Sequence, residues 1–322
     1  MKCPLCSHNQ RRRDGMTCDK CGYTFTFNPK EYDTFQITDG RFLAAIRAAS
    51  QNGTQWFTPF QLYAEFCRRS AGRNYGVLIL AWVLFVGGVA ALFKSLILLG
   101  VILVVVAIII AATGFRQHGR FTKDAFRKLL KRWKADGKPI DFLIDKLTLD
   151  EPPPEWSEPD IYDYGVEKIL IVEHDLYVDL FVRNGLHAEH RMLVLAESGY
   201  PHYLQPIARE LLEDQPDLPV FLLHDATRQG TLLKQRVMTR SGLPLEGHPV
   251  TDLGMFPEDF QKLKRTRFVS PDEKERRLPL DALPTSFLAT GLGVAFAQGL
   301  AFREIIKDQQ QTSSYAGSAS FG

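Results

Sequence analysis

Two close pairs of cysteines constrain the folding of this sequence more than any other feature. Four of the chain's five cysteines, Cys3, Cys6, Cys18 and Cys21, lie within the first 21 residues. Two residues separate the members of each pair, so one tight turn can present two thiolates to the same ion. Two such turns predict a closed tetrahedral site with structural zinc, and hence a zinc ribbon over residues 1–30. Because the pairs lack a βαβ context, a redox role is the weaker alternative.

The composition is that of a folded protein, with 45% apolar and 24% charged residues. The net charge is only +2, which excludes a polycation that coats nucleic acid along its whole surface. Any affinity for nucleic acid must therefore come from local patches. Cysteines at ligand spacing, without a disulfide framework, indicate a reducing compartment.

Residues 31–74 predict a small helical region. Apolar side chains at helical spacing predict two helices around the turn Asn52–Gly53. Thr38 or Asp39 is suited to cap the first helix. The fifth cysteine, Cys67, is expected to be a buried apolar residue of the second helix, not a further metal ligand.

A long apolar run, Gly76–Thr113, has Lys94 as its only charged residue. It is too long for one membrane span of about 20 residues and suits two. The run predicts a transmembrane α-hairpin over residues 75–115, with a single tilted helix as the weaker alternative. Basic residues on both sides place both termini in the cytoplasm. We therefore expect an integral membrane protein with two spans, in a bacterial inner membrane, with the lipid bilayer as partner.

Residues 116–149 form a basic segment that is expected to be helical. Its lysines and arginines favour contact with anionic lipid headgroups. A surface patch that binds nucleic acid is the more specific alternative. The proline-rich acidic residues 150–160 predict a linker. The polar residues 309–322 predict a disordered tail.

Residues 161–308 predict a separate α/β domain. Buried-strand runs alternate with helices of about 10 to 15 residues, which favours a parallel sheet with covering helices. The functional crevice of such sheets lies at the carboxyl ends of the strands. Glu173 and Asp225 follow two of the runs, ILIVEHD and LPVFLLHDATRQG.

These runs resemble the Toprim domain of topoisomerase VI A subunits and their meiotic DNA-break relatives. In that family the first strand ends in glutamate, Gly-Tyr-Pro follows the second, and the third ends in Asp-Ala-Asp-Pro-Tyr-Gly. Glu173, the turn Gly199–Pro201 and Asp225 match this pattern. The resemblance implies a Toprim-like fold in which Glu173 and Asp225 are catalytic acids that bind magnesium.

The sequence departs from the family at two functional positions. The family's second aspartate falls on Thr227, a neutral and poorer ligand for magnesium, and Arg228 beside it opposes a bound cation. The family also has an upstream winged-helix domain with a helix whose second tyrosine attacks DNA, so the resemblance implies that residues 31–74 are winged-helix-like. In the nearest stretch, FTPFQLYAEFCRR, Tyr63 takes the first tyrosine position and Ala64 the second. Both departures argue against two-metal strand scission.

Three functions stay open at this point. The favoured one is binding or scaffolding without strand cleavage, on nucleic acid, a nucleotide or a protein partner. The second is a magnesium-dependent nuclease or phosphotransfer enzyme that uses Glu173 and Asp225, and the third is a pure membrane scaffold. His174 and His224 adjoin the acids and could act in acid–base chemistry, although a hydrogen bond to the backbone is the commoner role of such histidines.

Overall fold

The computed structural model describes residues 1–28, 37–70, 82–87, 89, 101–108, 121–152, 165–256, 279–299, 302, 304 and 305. Among these residues no helix is long and apolar enough to cross a bilayer, which takes about 20 residues. Within the range 75–115 the described helical parts are 82–87, 89 and 101–108, and the rest lies outside the described residues. The predicted transmembrane hairpin is therefore wrong. So is the predicted two-span protein of a bacterial inner membrane with cytoplasmic termini.

Residues 1–28 form two knuckles, each closed by an isolated antiparallel bridge, Lys2 with Asn9 and Thr17 with Thr24. Between the knuckles lies a 3₁₀ turn, Arg12–Asp14. Cys3, Cys18 and Phe25 form the small buried cluster of this ribbon. The cysteine turns therefore organise the N-terminal unit, because few other apolar side chains are available to build a core.

Three helices pack around one aromatic core. They are α1 (Asp39–Ala49), α2 (Pro59–Ser70) and α3 (Lys123–Ala135). Thr38 caps α1 by accepting a hydrogen bond from the backbone N–H of Arg41 at 3.3 Å. Phe42, Phe66, Phe126 and Trp133 are in contact across the core.

The predicted basic helix over 116–149 is shorter in the structure. It ends at Ala135, since Gly137 adopts a left-handed conformation with φ +71° and Pro139 follows closely. Phe57, between α1 and α2, then pairs with Leu143 in an isolated bridge. The segment after α3 therefore returns to the helical unit.

The C-terminal unit is an α/β fold with a parallel sheet, as the alternating pattern predicts. The strands are β1 (Lys168–Val172), β2 (Met192–Ala196), β3 (Val220–Leu223) and β4 (Val250–Asp252). Their order is β2-β1-β3-β4, and every pair is parallel. The helices are α4 (Asp175–Arg183), α5 (Leu186–Glu189), α6 (Gln205–Asp214), α7 (Leu233–Arg240) and α8 (Thr285–Gln298).

Each face of the sheet carries its own core because successive strand residues point to opposite faces. Leu170 and Val172 of β1 pack in the cluster that includes α4 and α8. Ile169 and Ile171 pack in the cluster that includes α6 and α7. The sheet is thus covered on both sides, which leaves its carboxyl edge as the accessible place for polar groups.

Polar contacts join the helical unit to the α/β unit. At the start of α2, the Thr58 hydroxyl donates to Asp281 Oδ2 at 2.7 Å, and Gln61 Nε2 donates to the carbonyl of Leu283 at 2.9 Å. The backbone N–H of Trp56 donates to Asn184 Oδ1 at 2.9 Å. The N-terminus of α2 is therefore tied to the segment that precedes α8 and to the end of α4.

Candidate functional site

The four N-terminal cysteines come together as the sequence predicts. Cys3 Sγ lies 3.6 Å from Cys21 Sγ, and Cys6 Sγ lies 3.6 Å from Cys18 Sγ. All four sulfur atoms are within 4.8 Å of one another. A tetrahedral zinc site with Zn–S bonds of about 2.3 Å has sulfurs about 3.8 Å apart. The group could therefore hold a metal ion such as zinc.

The cysteine thiols differ in their pKa values. Burial by itself raises the pKa of the Cys3 thiol, but hydrogen bonds from the backbone of Cys6 and Leu5 outweigh it and lower the pKa to about 7. In the same group a backbone hydrogen bond by itself lowers the pKa of the Cys21 thiol, but desolvation and the neighbouring cysteine side chains outweigh it and raise the pKa to about 12. The opposite shifts show that the neighbouring thiols share protons; a metal ion binds the thiolate form. Cys67 instead lies in the core of the helical unit, where burial raises its pKa to about 12. It is the apolar core residue that the sequence predicts.

A buried ion pair fixes the cysteine ribbon onto the helical unit. Lys138 Nζ donates to Asp39 Oδ2 at 2.9 Å and also to three oxygens of the ribbon, Tyr23 Oη, the Thr24 carbonyl and Thr26 Oγ1, at 2.7 to 2.9 Å. Asp39 is 1% exposed and also accepts from the Tyr23 hydroxyl. Asp39, one of the two residues suited to cap α1, therefore connects the helical unit to the ribbon.

The second candidate site is a row of buried acids at the carboxyl edge of the sheet. Glu173 follows β1, Glu197 follows β2 and Asp225 lies two residues after β3, and all three are buried. Parallel strands bring these positions to one edge. Glu197 is a residue that the sequence analysis missed, although its position directly after a predicted strand is the same signal that identified Glu173.

A guanidinium group bridges two of these acids. Arg236 of α7 places Nη2 3.2 Å from Glu173 Oε1 and Nη1 2.9 Å from Glu197 Oε2. Arg240, one turn further along α7, places Nη1 2.8 Å from Glu197 Oε1. The second oxygen of Glu173 accepts the backbone N–H of Asp225 at 2.9 Å. Both oxygens of Glu173 are thus engaged by groups of the protein itself.

Asp225 is engaged in the same way. Its Oδ1 accepts the Tyr177 hydroxyl and the backbone N–H of Leu280, both at 2.7 Å. Its Oδ2 lies 3.2 Å from His174 Nε2. Burial, followed by the negative charge of Asp225, raises the pKa of Tyr177 well above its usual value. Tyr177 therefore stays neutral and acts as a hydrogen-bond donor.

Glu173, His174 and Asp225 have ligand atoms within 4.8 Å of one another, a spacing that could suit a metal ion. Magnesium, which the Toprim resemblance implies, prefers oxygen ligands in near-ideal octahedral array. Here the carboxylate oxygens already accept hydrogen bonds, and the positive charge of Arg236 lies 3.2 Å from Glu173. The residues as arranged do not fit a magnesium ion held by Glu173 and Asp225.

The turn after Asp225 also differs from the sequence expectation. Thr227 Oγ1 accepts the backbone N–H of Gly230 at 2.8 Å, so its hydroxyl closes the turn that leads to α7. The side chain of Arg228 is exposed. The positive charge that meets the acids comes instead from Arg236.

His224 has the backbone hydrogen bond that the sequence analysis favoured. Its Nδ1 lies 2.8 Å from the Asp225 carbonyl, and Nε2 lies 3.1 Å from Asp252 Oδ1. Burial by itself lowers the pKa of His224, but these two acceptors raise it overall. A Cβ on Gly254 would lie 2.1 Å from Nε2. The ring therefore occupies a fitted slot, where it joins β3 to β4.

By the resemblance to the Toprim-containing enzymes, helix α2 corresponds to the helix that bears the attacking tyrosine, and here neither of the two tyrosine positions offers a reactive hydroxyl. Tyr63 is 2% exposed, and its hydroxyl donates to the Phe121 carbonyl at 2.6 Å. Ala64 follows it on α2. Tyr63 is a core residue that holds the start of the α3 segment against α2.

A further feature is the basic outer face of α3, where Arg127, Lys128, Lys131 and Lys134 are exposed.

Basic and acidic residues are also distributed unevenly along the chain. Residues 1–149 contain 22 lysines and arginines against 10 acids, whereas residues 150–322 contain 17 against 27. The two parts carry +12 and −10, which combine to the +2 of the whole chain. The total charge of +2 conceals this separation, which appears only when the two parts of the sequence are counted apart.

Comparison of the chain with models of protein families, with curated proteins and with solved structures finds no match. The resemblance to the Toprim domain therefore stays a prediction that depends on Glu173, Gly199–Pro201 and Asp225. What the protein does has to be inferred from its charge distribution and from the geometry of its two sites.

Proposed function

We propose that this chain is a nucleic-acid-binding protein that docks on phosphate backbones through its basic N-terminal part and does not cleave strands. The observation that carries the proposal is the exposed basic face of α3. The four cysteines hold a structural zinc ion that shapes the ribbon. The α/β unit supports the helical unit and performs no phosphoryl chemistry.

The charge of α3 is concentrated on one side of the helix. The helix has 13 residues, of which six are basic and one, Asp124, is acidic. Among the described residues, no acid forms an ion pair with Lys128 or Lys131, whereas Arg127 pairs with Asp124 and Lys134 with Asp145. Lysines of this kind can release counterions from a phosphate backbone when they bind it.

The apolar side of α3 favours nucleic acid over a lipid surface as the partner. A helix that lies in a membrane interface buries apolar side chains among the lipids. In α3 these side chains, Phe126, Leu129 and Trp133, are buried in the core of the helical unit. Only the charged face is available to a partner, which suits a hydrophilic polyanion.

The acidic character of residues 150–322 sets the orientation of binding. A net charge of −10 repels a polyanion, whereas the +12 of residues 1–149 attracts it. The ribbon adds to the attractive side, since Arg11, Arg13 and Lys20 are exposed on it. Electrostatic steering would therefore present the ribbon and α3 to the nucleic acid.

The proposal that strands are not cleaved rests on the state of the acids. Glu173 and Asp225 are the acids that the resemblance makes catalytic. Their oxygens accept hydrogen bonds from within the chain, and Arg236 supplies a fixed positive charge beside Glu173. Ala64 stands where the resemblance requires a nucleophilic tyrosine. A metal-dependent reaction therefore lacks free carboxylate ligands, and a tyrosine-dependent reaction lacks its nucleophile.

The zinc assignment is tested by metal analysis of the purified full chain. We expect one zinc per chain, which Cys18→Ser removes because the closed site loses one of its four ligands. Cys67→Ser is the matched control and should keep the metal, since Cys67 lies in the helical core. Protein that folds without any bound metal would contradict the assignment.

Nucleic-acid binding is tested by fluorescence anisotropy of the full chain with short labelled DNA and RNA duplexes. The variant Lys128→Gln/Lys131→Gln removes two exposed charges from α3. The matched control Arg209→Gln/Lys234→Gln removes two exposed charges from the α/β unit. At about 100 mM salt we expect the α3 variant to bind roughly tenfold more weakly than the wild type. Measured from about 50 to 200 mM salt, the slope of log K against log salt should be smaller by about 2, so the difference in affinity narrows as salt rises. The control should behave like the wild type.

Two results would overturn this proposal. Equal binding by the α3 variant and the wild type would exclude α3 as the docking face. Binding to anionic vesicles without binding to either duplex would identify a lipid surface as the partner instead. Incubation of a plasmid with Mg²⁺ or Mn²⁺ tests the absence of cleavage separately, and cutting that Glu173→Ala abolishes would refute that part.

A further inference from the structure

The buried acids at the carboxyl edge of the sheet raise the question of what neutralises them. The side chains of Glu173 and Glu197 are 2% and 4% exposed. A buried carboxylate is strongly unfavourable unless a positive partner and hydrogen bonds compensate its charge. A row of acids at this edge can be compensated by a divalent metal ion or by cationic side chains of the chain itself.

We infer that Arg236 takes the place of a divalent cation between Glu173 and Glu197, so that its removal opens a metal site at this edge. One guanidinium reaches both acids, with Nη2 3.2 Å from Glu173 Oε1 and Nη1 2.9 Å from Glu197 Oε2. The two acids follow neighbouring parallel strands, β1 and β2. Arg236 thus bridges two strand ends, as a shared metal ion would.

Arg236 is well suited to this role because of its charge and its shape. A guanidinium keeps its charge at every relevant pH, and its planar fork can serve two carboxylates at once. Its own side chain is only 23% exposed. The positive charge is therefore fixed in a partly desolvated place, where it repels an incoming cation strongly.

Arg240 provides an internal comparison. It lies on the same helix, one turn after Arg236, and its Nη1 contacts Glu197 Oε1 at 2.8 Å. However, its side chain is 67% exposed, and within the described part of the chain Glu197 is the acid that it pairs with. Loss of Arg240 leaves Arg236 on both acids and should not open the site.

The turn that leads into α7 is consistent with Arg236 in the place of a metal ion. Thr227 brings no negative charge to the edge, and its hydroxyl closes the turn onto Gly230. The chain then enters α7, which supplies Arg236 and Arg240. The turn that offers no carboxylate to a metal therefore leads into the helix that supplies a cation in its place.

The balance of charge predicts the effect of removing Arg236. Glu173 and Glu197 are paired with Arg236 and Arg240, so two guanidinium groups match the charge of these two acids, while Asp225 is held separately by Tyr177 and Leu280. Arg236→Gln leaves two buried acids with one exposed guanidinium. An uncompensated buried charge destabilises the fold, and a hard divalent ion that binds carboxylate oxygens can restore the balance. This inference goes beyond nucleic-acid binding and does not depend on it.

The test uses the full chain with its cysteine site intact and Mn²⁺ as the probe. Electron paramagnetic resonance measures bound Mn²⁺, and thermal denaturation measures Tm with and without millimolar Mn²⁺. For Arg236→Gln we expect one Mn²⁺ per chain and a Tm that is low without metal and rises with it. The wild type, Arg236→Lys and Arg240→Gln should bind no Mn²⁺ at this edge and should show no such rise.

The double variant Glu173→Gln/Arg236→Gln keeps the experiment decisive if Arg236→Gln is unstable. It loses one buried acid together with the guanidinium, and it should neither bind Mn²⁺ nor gain stability from it. Folding of Arg236→Gln that is recovered only by Mn²⁺ supports the inference. Arg236→Gln that gains nothing from Mn²⁺ overturns it, and so does Mn²⁺ binding by the wild type that Glu173→Gln abolishes. Neither result affects binding through α3, so the two proposals fail separately.

Discussion

Replacement of Lys138 by methionine should destabilise the joint between the cysteine ribbon and the helical unit. Lys138 Nζ shares its three N–H groups among four oxygens, of which Asp39 Oδ2 carries the negative charge. The ammonium also lies over the rings of Tyr23 and Trp133, at 4.3 and 4.7 Å from their centroids. Methionine retains much of the side-chain volume and removes only the charge and the donors.

The size of the effect follows from the burial of the pair. Side-chain exposure is 17% for Lys138 and 1% for Asp39, and removal of one partner of a buried pair costs about 3 to 5 kcal/mol. Asp39 keeps three donors, the Tyr23 hydroxyl and the backbone N–H groups of Thr26 and Phe27. The carboxylate therefore stays hydrogen-bonded, and we expect the lower value, about 3 kcal/mol.

Urea denaturation of the zinc-loaded chain, followed by Trp fluorescence, measures this free energy because Trp133 lies beside Lys138. The matched control is Lys134→Met. Lys134 pairs with Asp145, and both side chains are well exposed, so its loss should cost less than about 1 kcal/mol. A cost below about 1 kcal/mol for Lys138→Met as well would refute the view that this buried pair holds the ribbon in place.

Two further predictions concern the α/β unit. Burial raises the pKa of Asp281 from 3.8 to about 7, so the folded state keeps a proton that the unfolded state loses, and this stabilisation declines as pH rises from about 4 to about 7. Asp281→Asn should remove that decline, and urea midpoints at several pH values would show an unchanged slope if the reasoning is wrong. In α8, Gly291→Ala should cost about 1 to 3 kcal/mol because its Cβ would lie 2.6 Å from the buried Phe302 ring. Gly293→Ala, with 3.6 Å to its nearest neighbour, should be neutral or stabilise by up to about 1 kcal/mol, and similar destabilisation by both would count against this explanation.

The features that could be predicted from the sequence are those with a local pattern. The cysteine group follows from the spacing within each pair, and α1 and α2 follow from apolar periodicity together with the cap Thr38. The parallel sheet follows from buried runs that alternate with amphipathic helices. Each of these signals is built from short local patterns and needs no knowledge of which distant residues are in contact.

Other features depend on contacts between distant residues. Arg236 meets Glu173 across 63 positions, and no local pattern indicates which arginine reaches an acid. Proximity in the sequence points to Arg228, which is exposed. The membrane prediction failed for a related reason. A hydropathy count reports how apolar a run is but not how long its helices are, and among the described residues none is long enough to cross a bilayer. The pairing of charges and the lengths of helices are decided by the folded chain.

The acids at the sheet edge also help to place the helical unit. Asp225 accepts the backbone N–H of Leu280, and the next residue, Asp281, accepts the hydroxyl of Thr58 at the start of α2. A continuous path of hydrogen bonds thus runs from the end of β3 to the helix that packs beside α3. If Asp225 instead released these donors to bind a metal ion, the segment 279–283 and α2 would lose this support. A structural role of Asp225 therefore accounts for the engagement of both of its carboxylate oxygens by Tyr177, Leu280 and His174.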